Sequence, residues 1–535
     1  MSGVHDKIGA RIEKSGSSQV STIFRLRKKK FKTKKLPQQV MEDIRLQEVI
    51  VKEVEKLMVL SEGYVGVAAS AHSIEKALFK QLLSLGLALL SYIFEEKIKR
   101  MREFGQVIHQ GQCMRYKGMG KRHYLSLFGS LTLVRPSYWS KDLGKIHPVD
   151  DHLCLPKSSH WAYTLEELVG EGAGENDFEE SVRVLNKLLD LGLSGKSSER
   201  NAQHLGPVVE SFYASKGVEV QTEAVCFSAS FDGKGVPKKK LKGEQVVDGN
   251  PKKRLGKGEK KGVMEMATVS VTSSFTPKKR SVDSIIRSLM GHASNKDKSD
   301  TLPSKPKSRQ DNRWHQDIHR RAFLADQQKA VEYGLNRIKA AMVNPQSRFV
   351  VPIDAGIGLE EKIMAWVKEE GMQSQFDGII LDIIHVSEYI WDAATAIFGE
   401  KSKSRSPWVQ QVLTDLLNSK SGEVIKDLEQ IKLKIELSES KKTQVGKTIT
   451  YLSNHQHKLD YKTFIEKGYP VSSALVEAAC GHLVKQRMEQ SGMRWTSQGA
   501  QNIMDLRAVK INGDMEAFME FRINTEQKIT LARAA

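Results

Sequence analysis

The sequence predicts an α/β protein in which strands alternate with helices, with further helical segments before and inside this core. Short apolar runs that end in Asp and Gly, such as FSASFDG and FVVPIDAG, have the length and composition of buried strands. The stretches between these runs place apolar residues at helical spacing. Hydrophobic residues make up 39% of the 535 positions, which is enough for a sizeable core in about two to four domains.

The first part of the chain is predicted to be basic and then helical. Residues 1–35 end in RLRKKKFKTKK and are expected to form a disordered basic arm, which is either a solvated tail or an arm that contacts phosphates. Residues 36–120 show helical periodicity. The apolar run over 78–94 carries Lys80 and is expected to be a buried helix rather than a membrane span. The segment 121–215 is predicted to hold a hairpin around Gly129 and then a helical DNA-binding region.

The α/β core is predicted to begin near residue 220. Its first part covers 220–400, a helical insertion follows over 401–466, and a final core helix with a C-terminal tail covers 467–535. A single helix is expected over 314–343, before the third strand. We further expect a helix over 359–370, between the third and fourth strands.

Two polar segments interrupt this core. Residues 234–262 are dense in Lys and Gly and are predicted to form a basic loop. Residues 291–312 are poor in apolar side chains and are expected to form a mobile loop.

The charge and the cysteines limit the functional class. The formal net charge is +19, which suits a polyanionic partner, most often nucleic acid, although a basic protein without such a partner has the same composition. The four cysteines are far apart and form no CxxC pair, so neither a disulfide scaffold nor a cysteine-rich zinc site is expected. The N-terminus has no apolar segment typical of a secretory signal, and we expect a cytoplasmic, nucleoid-associated protein of a bacterium.

Carboxylates at strand ends are the candidate chemical groups. Asp232 ends FSASFD, Asp354 ends FVVPID, and Glu477 lies in a run of small residues before a basic helix. Two carboxylates on neighbouring strands and a third from a helix can hold two Mg²⁺ ions, because this hard cation prefers oxygen ligands. The alternatives are a hairpin turn at Asp232, a helix N-terminal residue at Asp354 and an ordinary exposed glutamate at Glu477.

A second pair follows the fourth strand. Asp382 and His385 form a D-x-x-H sequence in LDIIHV. A carboxylate that accepts from an imidazole N–H is a common orienting pair. The alternative is a histidine satisfied near the core.

Long motifs of this chain resemble those of bacterial insertion-sequence transposases of the ISKra type. They include FSASFDGKGVPKKK, FDGIILDIIHVSEYIWDAA and, most strongly, GYPVSSALVEAACGHLVKQRMEQSGMRW. The likeness extends over about residues 120 to 525, and the motifs occur in the order seen in the family.

The resemblance implies a ribonuclease H-like catalytic core with a DDE triad of Asp232, Asp354 and Glu477 as metal ligands. It also implies auxiliary roles for Asp382 and His385 and for the Arg494-Trp495 pair, and it implies Mg²⁺, replaceable by Mn²⁺, as the cofactor, with no zinc. The chain departs from the family pattern at Ala355, at the Ser-Ser-Ala sequence before Glu477, and in lacking a CxxC after the hairpin. For Trp495, stacking on an unpaired base and packing in the core are both open.

Basic residues near the triad are predicted to contact DNA. Those of the loop after Asp232 are Lys234, Lys238, Lys239, Lys240, Lys252, Lys253 and Arg254. Lys485 and Arg487 follow Glu477 and are expected to bind the target strand. A solvated flexible loop is the alternative for the first group.

These observations predict a DNA transposase that cleaves at element ends with a metal ion and then joins a 3′-OH to target DNA. Double-stranded DNA is the expected partner, no membrane is expected, and at least a dimer is expected in the DNA complex. Two alternatives stay open. They are a ribonuclease H-like nuclease that uses water only, and a degenerate transposase-derived protein that binds DNA without cutting it.

Overall fold

The computed structural model describes residues 38–102, 107–109, 111–223, 225–239, 263–294, 314–434 and 437–534. The described chain divides into two compact units. The first is drawn from residues 1–173, 177–201 and 519–535, and the second from 174–176 and 202–518. The predicted basic arm, most of the basic loop and most of the predicted mobile loop lie outside the described residues.

The N-terminal part of the chain contains a helical pair, a small sheet and five shorter helices. Its helices are α1 (Gln38–Val65), α2 (Ala71–Arg102), α3 (Pro148–His152), α4 (Tyr163–Glu175), α5 (Phe178–Leu189), α6 (Gly195–Leu205) and α7 (Val208–Ser215). Its strands are β1 (Val107–His109), β2 (Gln112–Ser126), β3 (Gly129–Ser140) and β4 (Gly144–Ile146), which form an antiparallel sheet in the order β1-β2-β3-β4. The predicted hairpin therefore forms, and Gly129 adopts the positive φ of its tight connection.

One face of the β1–β4 sheet packs on α2. Leu131 and Leu133 of β3 are buried there with Ile98 of α2. Beneath the same sheet, Asp150 accepts from the guanidinium groups of Arg122 and Arg135 at 2.8 and 2.5 Å. The inward face thus contains both an apolar contact and a compensated ion cluster.

Helix α2 is the described helix long and apolar enough to cross a membrane, over Ala71–Arg100. The predicted helix over 78–94 forms, but the prediction that it is buried is wrong. None of its most apolar window is buried. Apolar side chains such as Phe79, Leu82 and Leu89 remain exposed because α2 packs on α1 and the sheet along only part of its surface.

The second unit contains a five-stranded mixed sheet between helices. The strands are β5 (Cys226–Pro237), β6 (Met264–Phe275), β7 (His315–Leu324), β8 (Arg348–Ile353) and β9 (Phe376–Leu381). Their order is β7-β6-β5-β8-β9. Strand β6 is antiparallel to both of its neighbours, β7 and β5, whereas β5, β8 and β9 are parallel. The structure confirms the predicted α/β class with a mixed sheet flanked by helices.

The helices of this part of the chain are α8 (Val282–Ser294), α9 (Gln327–Ala341), α10 (Leu359–Glu369), α11 (Ile383–Phe398), α12 (Arg405–Leu417), α13 (Ser421–Lys434), α14 (Glu439–Asn454), α15 (Tyr461–Glu466), α16 (Ala474–Ala479), α17 (Gln486–Met488), α18 (Ser497–Ile511) and α19 (Met515–Ala534). A π-helical segment, Cys480–Lys485, connects α16 to α17. Helices α9 and α10 cover one face of the sheet, where Phe231 packs near Leu335 and Trp366. Helices α8 and α11–α14 cover the other face around Val350 and Ile380.

The single helix predicted over 314–343 is wrong, because its first third is strand β7. The error has a physical cause. Buried positions of β7 include His319 and Arg321, whose polar groups bond Tyr333 and Asp505 at 2.7 and 2.8 Å. Polar residues at inward positions conceal the alternation that identifies a strand.

Candidate metal centre at the edge of the five-stranded sheet

The strand register places Asp232 beside Asp354. Strands β5 and β8 pair in parallel, with Cys226 opposite Arg348, so paired positions differ by 348 − 226 = 122. The same difference separates the two aspartates, since 354 − 232 = 122. They therefore occupy equivalent positions on neighbouring strands. Asp354 directly follows β8, and the charge of Asp232 contributes to raising its pKa, so the two carboxylates lie close together. Strand β5 continues past Asp232 to Pro237, so the prediction that Asp232 ends its strand is wrong.

The same relation adds Asp382 to the row. Ile353 of β8 pairs with Leu381 of β9, a difference of 381 − 353 = 28. Asp354 and Asp382 follow these two residues directly and keep that difference. Asp232, Asp354 and Asp382 thus form one row across three adjacent parallel strands, with Asp354 in the middle. We call these three residues the acid row.

Asp382 is held firmly by its neighbours. It is 0% exposed and precedes α11 as the N-cap residue, with Oδ1 accepting from the Ile384 backbone N–H at 2.9 Å. Its Oδ2 accepts from the Ser473 hydroxyl at 2.6 Å and from Nδ1 of His385 at 3.0 Å. These bonds compensate a fully buried carboxylate.

His385 connects Asp382 to Glu477. Since Nδ1 donates to Asp382, the other ring nitrogen, Nε2, faces Glu477 Oε1 at 3.7 Å. The hydrogen bond to Asp382 raises the pKa of His385 to about 9, and the charges of Asp382, Glu477 and Asp354 act in the same direction. The raised pKa favours the protonated imidazole at neutral pH, a positive charge close to three carboxylates.

Glu477 enters the site from the first turn of α16. The helix begins directly after Ser473, whose backbone carbonyl accepts from the Glu477 N–H at 3.2 Å. Burial raises the pKa of Glu477, with a further contribution from the charge of Asp382. Burial also raises the pKa of Asp354, followed by the charge of Asp232. Glu477 is therefore close enough to the acid row for repulsion between carboxylates to raise its pKa.

Within the described part of the chain, Asp382, His385 and Glu477 form a group that could hold a metal ion. One ligand atom from each lies within 4.8 Å of the other two. This group shares Glu477 with the predicted triad. The other predicted ligands, Asp232 and Asp354, lie along the same edge and are both partly exposed, and each accepts a backbone N–H, from Gly233 and Gly356 respectively.

The segment after Glu477 is anchored to the sheet. Cys480 opens the π-helical segment and is buried, with its Sγ 4.0 Å from the backbone carbonyl of Asp232. A π-helical turn is rare and often occurs at functional sites, because it changes the direction of side chains along a helix. Here it follows Glu477 by two residues and packs against β5.

Arg487 and Trp495 are packed in the interior. Arg487 is 0% exposed and its guanidinium lies 4.8 Å from the centre of the Trp495 ring, so the prediction that Arg487 contacts DNA is wrong for this structure. Trp495 is buried and donates its indole N–H to the Met488 carbonyl at 3.1 Å, which corresponds to the core-packing alternative. Its backbone also bonds Pro237 and Lys239.

Some of the other basic residues considered near the triad lie in the described part of the chain, and the rest lie outside it. Lys485 and Arg494 are exposed. Lys234 lies 3.9 Å from Glu489, and the backbones of Lys238 and Lys239 continue β5 toward Trp495. Lys240, Lys252, Lys253 and Arg254 lie outside the described residues.

No pattern in the sequence singles out Ser473, yet its hydroxyl is buried and donates a hydrogen bond to Asp382. Tyr389 and Tyr451 were also missed. Their rings stack at 3.8 Å, and Tyr451 is close enough to Asp354 and Asp382 for these charges to raise its pKa, although burial is the main cause. The one available signal was the position of Tyr389, which lies one helical turn after His385 on α11.

In comparisons with known proteins, no family model matches this chain and no curated protein matches it. The resemblance to insertion-sequence transposases therefore remains an expectation based on the motifs themselves.

Proposed function

We propose that this chain is a metal-dependent DNA transposase of the ISKra type, with a ribonuclease H-like core and Asp232, Asp354 and Glu477 as its catalytic metal ligands. The observation that carries the proposal is the common register of Asp232 in β5 and Asp354 at the end of β8, with Glu477 brought close to them by α16. The strand order and the mixture of antiparallel and parallel pairs support the ribonuclease H-like assignment. The comparison with known proteins neither adds to nor opposes it.

The donors fit a hard divalent cation. The acid row and Glu477 supply carboxylate oxygens, which are the ligands that Mg²⁺ and Mn²⁺ accept, and two such ions are expected. Burial and repulsion from neighbouring carboxylates raise the pKa values of Asp354 and Glu477. A cation bound between them would therefore stabilise their charged forms. When bound, such ions would activate a hydroxyl for attack on phosphorus and stabilise the leaving oxygen.

The protein's own residues determine where that chemistry takes place. Asp232 and Asp354 are fixed by neighbouring strands, and their spacing cannot change without disturbing the sheet. Asp382 orients His385, and His385 in turn faces Glu477, so the pair acts as a positioning unit for the helix carboxylate. Four carboxylates would repel a DNA phosphate, which is a further reason to expect cations at this edge.

The proposal is tested with purified full-length protein and duplexes that carry the DNA ends flanking its gene. We expect nicked and strand-joined products with Mg²⁺ or Mn²⁺. Asp232→Asn, Asp354→Asn and Glu477→Gln should each lower their formation by at least about 10³-fold, because a lost ligand removes several kcal/mol of charge stabilisation. The matched control is Asp392→Asn, an exposed carboxylate on the same helix as His385 that bonds Gln444.

The products also decide between the alternatives. Nicked products without joined strands would identify a nuclease that uses water. DNA binding without any metal-dependent product, unchanged in the three variants, would identify a degenerate DNA-binding protein and contradict the proposal.

A further inference from the structure

Helices α1 and α2 form an antiparallel pair. Residues 66–70 connect them, and the Gln81 side chain of α2 donates to Glu53 Oε2 of α1 at 2.8 Å. The residues of α1 on the side of this bond include Ile50, Leu57 and Tyr64, which are partly buried. Gln81 is therefore level with Glu53, and later residues of α1 are level with earlier residues of α2.

Helix α2 has three apolar faces. The first packs on α1, and the second packs on the β1–β4 sheet, where Ile98 is buried. The third contains large apolar side chains that are each 41 to 51% exposed: Phe79, Leu82, Leu89 and Ile93. With Gly86 between them, their spacing alternates between three and four residues. This is the spacing of residues that pack against another helix in a coiled coil.

The glycine in this stripe makes room for another apolar ring. A Cβ atom at Gly86 would lie 2.5 Å from the ring of Phe128, which belongs to the connection between β2 and β3. A larger residue at position 86 would therefore displace the ring. Phe128 is itself exposed, so it adds to the apolar surface beside the stripe.

Helix α1 has an exposed stripe with the same spacing. Its apolar members are Val51, Val54, Met58 and Val65, with Ser61 at the remaining position. On both helices, each residue of the stripe directly follows a position on the side of the helix–helix contact, as Val54 follows Glu53 and Leu82 follows Gln81.

The two stripes face the same side of the helical pair. One residue is a rotation of about 100° about the helix axis, and the two axes point in opposite directions. Equal rotations about opposed axes, starting from directions that point at each other, end on the same side. The stripes of α1 and α2 therefore form one continuous surface, which we call the apolar face.

The apolar face is larger than ordinary exposed apolar surface. Monomeric proteins rarely expose a contiguous apolar patch of more than a few hundred Å². The eight residues of the stripes and Phe128 expose on the order of 700 Å², which approaches the ~800 Å² that each partner buries in a stable interface of standard size. The face therefore has the size of a surface that another molecule covers.

Opposite charges line the two outer edges of the apolar face. On α1, the edge away from α2 contains Glu48, Glu55 and Glu62, spaced by seven residues. On α2, the edge away from α1 contains Lys76 and Lys97. All five residues are exposed, and none has an ion-pair partner among the described residues. Charges in these positions beside a coiled-coil seam determine the partner and its orientation.

A second copy of the chain matches this distribution of charge. A two-fold axis parallel to the helices places α1 of one copy against α2 of the other, with the acidic edge beside the basic edge, and keeps every residue at its level. Lys76 is five residues before Gln81 and is therefore level with position 58 of α1. It would lie between Glu55 and Glu62 of the other copy. An axis across the helices would instead place α1 on α1 and bring glutamates together.

We propose that the apolar face is the interface of a symmetric homodimer of this chain, in which two α1–α2 pairs form a four-helix bundle. Helix α1 of one copy packs on α2 of the other, so that all neighbouring helices are antiparallel. This inference does not rest on the proposed function, because the dimer forms without DNA and without metal. The sequence alone placed a dimer only in the DNA complex.

A membrane surface is the competing occupant, since α2 is apolar enough to cross a membrane. Helices that lie on membranes carry Lys and Arg beside their apolar face, which attract anionic lipids. The apolar face is instead bordered along α1 by Glu48, Glu55 and Glu62. These carboxylates oppose an anionic bilayer and favour the second copy.

The test measures the mass of the DNA-free, full-length protein by sedimentation equilibrium over a series of concentrations. The variant of the interface is Leu82→Gln/Leu89→Gln. The matched control is Leu168→Gln/Leu188→Gln, which makes the same change at two exposed leucines of α4 and α5. Circular dichroism verifies that each variant folds.

We expect the wild type to be a dimer. The variant of the interface should raise the dissociation constant of the dimer by at least about 100-fold, because four apolar side chains no longer pack in each dimer. The control should stay within about twofold of the wild type, since its positions lie outside the apolar face.

Charge reversal tests the arrangement of the helices without removing apolar surface. Glu55→Lys/Glu62→Lys should raise the dissociation constant by about tenfold, because Lys76 of the other copy then meets positive charge. Adding Lys76→Glu to that variant should return most of the lost affinity. A triple variant no tighter than the double variant would overturn the packing of α1 on α2.

Three results would overturn the interface itself. They are a wild type that is monomeric at every concentration, a dimer that survives Leu82→Gln/Leu89→Gln, and equal weakening in both leucine variants. A monomeric wild type that binds phosphatidylserine vesicles through Leu82 and Leu89 would assign the face to a membrane. None of these measurements uses DNA or metal, so a failure here leaves the proposed transposase untouched, and a failure of DNA cleavage leaves the dimer untouched.

Discussion

The carboxylates at the edge of the five-stranded sheet and the exposed cations of the β1–β4 sheet differ in charge and in how they are held. At the sheet edge, carboxylates are buried or partly buried and held by hydrogen bonds, as Asp382 is by Ser473 and His385. In the β1–β4 sheet, the basic side chains outside the Asp150 cluster are exposed and have no carboxylate partner among the described residues: Arg115, Lys117, Lys121, Lys141 and Lys145. The first arrangement fixes ligand positions at a cost in desolvation. The second leaves charge available to a large polyanion.

This difference indicates which kind of change each region tolerates. A buried charge that loses its partner destabilises the fold, whereas an exposed charge can be removed with little effect on stability. Substitutions at the sheet edge should therefore alter stability and metal affinity. Substitutions of the exposed cations of the β1–β4 sheet should have little effect on stability.

The largest effect on stability is expected from the buried carboxylate at the sheet edge. Asp382→Ala removes the acceptor for the Ser473 hydroxyl, the Ile384 N–H and the His385 imidazole, and should cost about 3 kcal/mol or more in unfolding free energy. Denaturant unfolding measures it, with Asp392→Ala as the exposed control. A cost for Asp382→Ala no larger than that of the control would remove the contrast between the two regions.

Arg487 and Lys485 allow buried and exposed charges to be compared within one segment, because Arg487 is buried and Lys485 is exposed. Arg487→Met should lower stability by about 1 to 3 kcal/mol, because the guanidinium is fully buried over Trp495, and it should leave the salt slope of DNA binding unchanged. Lys485→Gln should leave stability unchanged and lower the slope by up to about 0.9. Unfolding and salt-dependent binding are measured on both variants. If Arg487→Met reduces the slope and Lys485→Gln does not, the assignment of buried and exposed roles is reversed.

The smallest effect is the pH dependence of stability due to His385. Its pKa is raised from 6.5 to about 9 in the folded protein, so its contribution to stability is complete below about 6.5 and is lost as the pH rises through about 9. The difference in unfolding free energy between wild type and His385→Gln should therefore shrink between these values. A difference that stays constant from neutral pH to above 9 would contradict the interaction with Asp382 and Glu477.

Sequence patterns predicted strands β5 and β8 because apolar runs identify buried strands without knowledge of the fold. The end of the strand was predicted correctly at Asp354, whereas β5 continues past Asp232 to Pro237. Sequence patterns could not predict that Asp232 lies beside Asp354. A separation of 122 residues indicates neighbouring positions only when the strand register is known. Strand β7 and buried Arg487 were missed for a related reason. Arg321 of β7 bonds Asp505, 184 residues away, and a partner that far along the chain leaves no local signal.

Ser473 shows the same limit at the site itself. The small residues before Glu477 suggested only that backbone or DNA could approach closely. The structure assigns one of them a hydrogen bond to Asp382, 91 residues earlier in the chain. Such bonds depend on how the start of α16 packs against the residues that follow the strands. Composition and periodicity do not predict this packing.

The acid row and Glu477 are proposed to hold divalent cations, and direct titration of the DNA-free protein with Mn²⁺ tests this without relying on activity. We expect saturable binding that weakens by at least about tenfold in Asp232→Asn and in Glu477→Gln, and that is unchanged in Asp392→Asn. Wild-type affinity retained in both Asp232→Asn and Glu477→Gln would contradict the account, because it would place the metal away from this edge of the sheet.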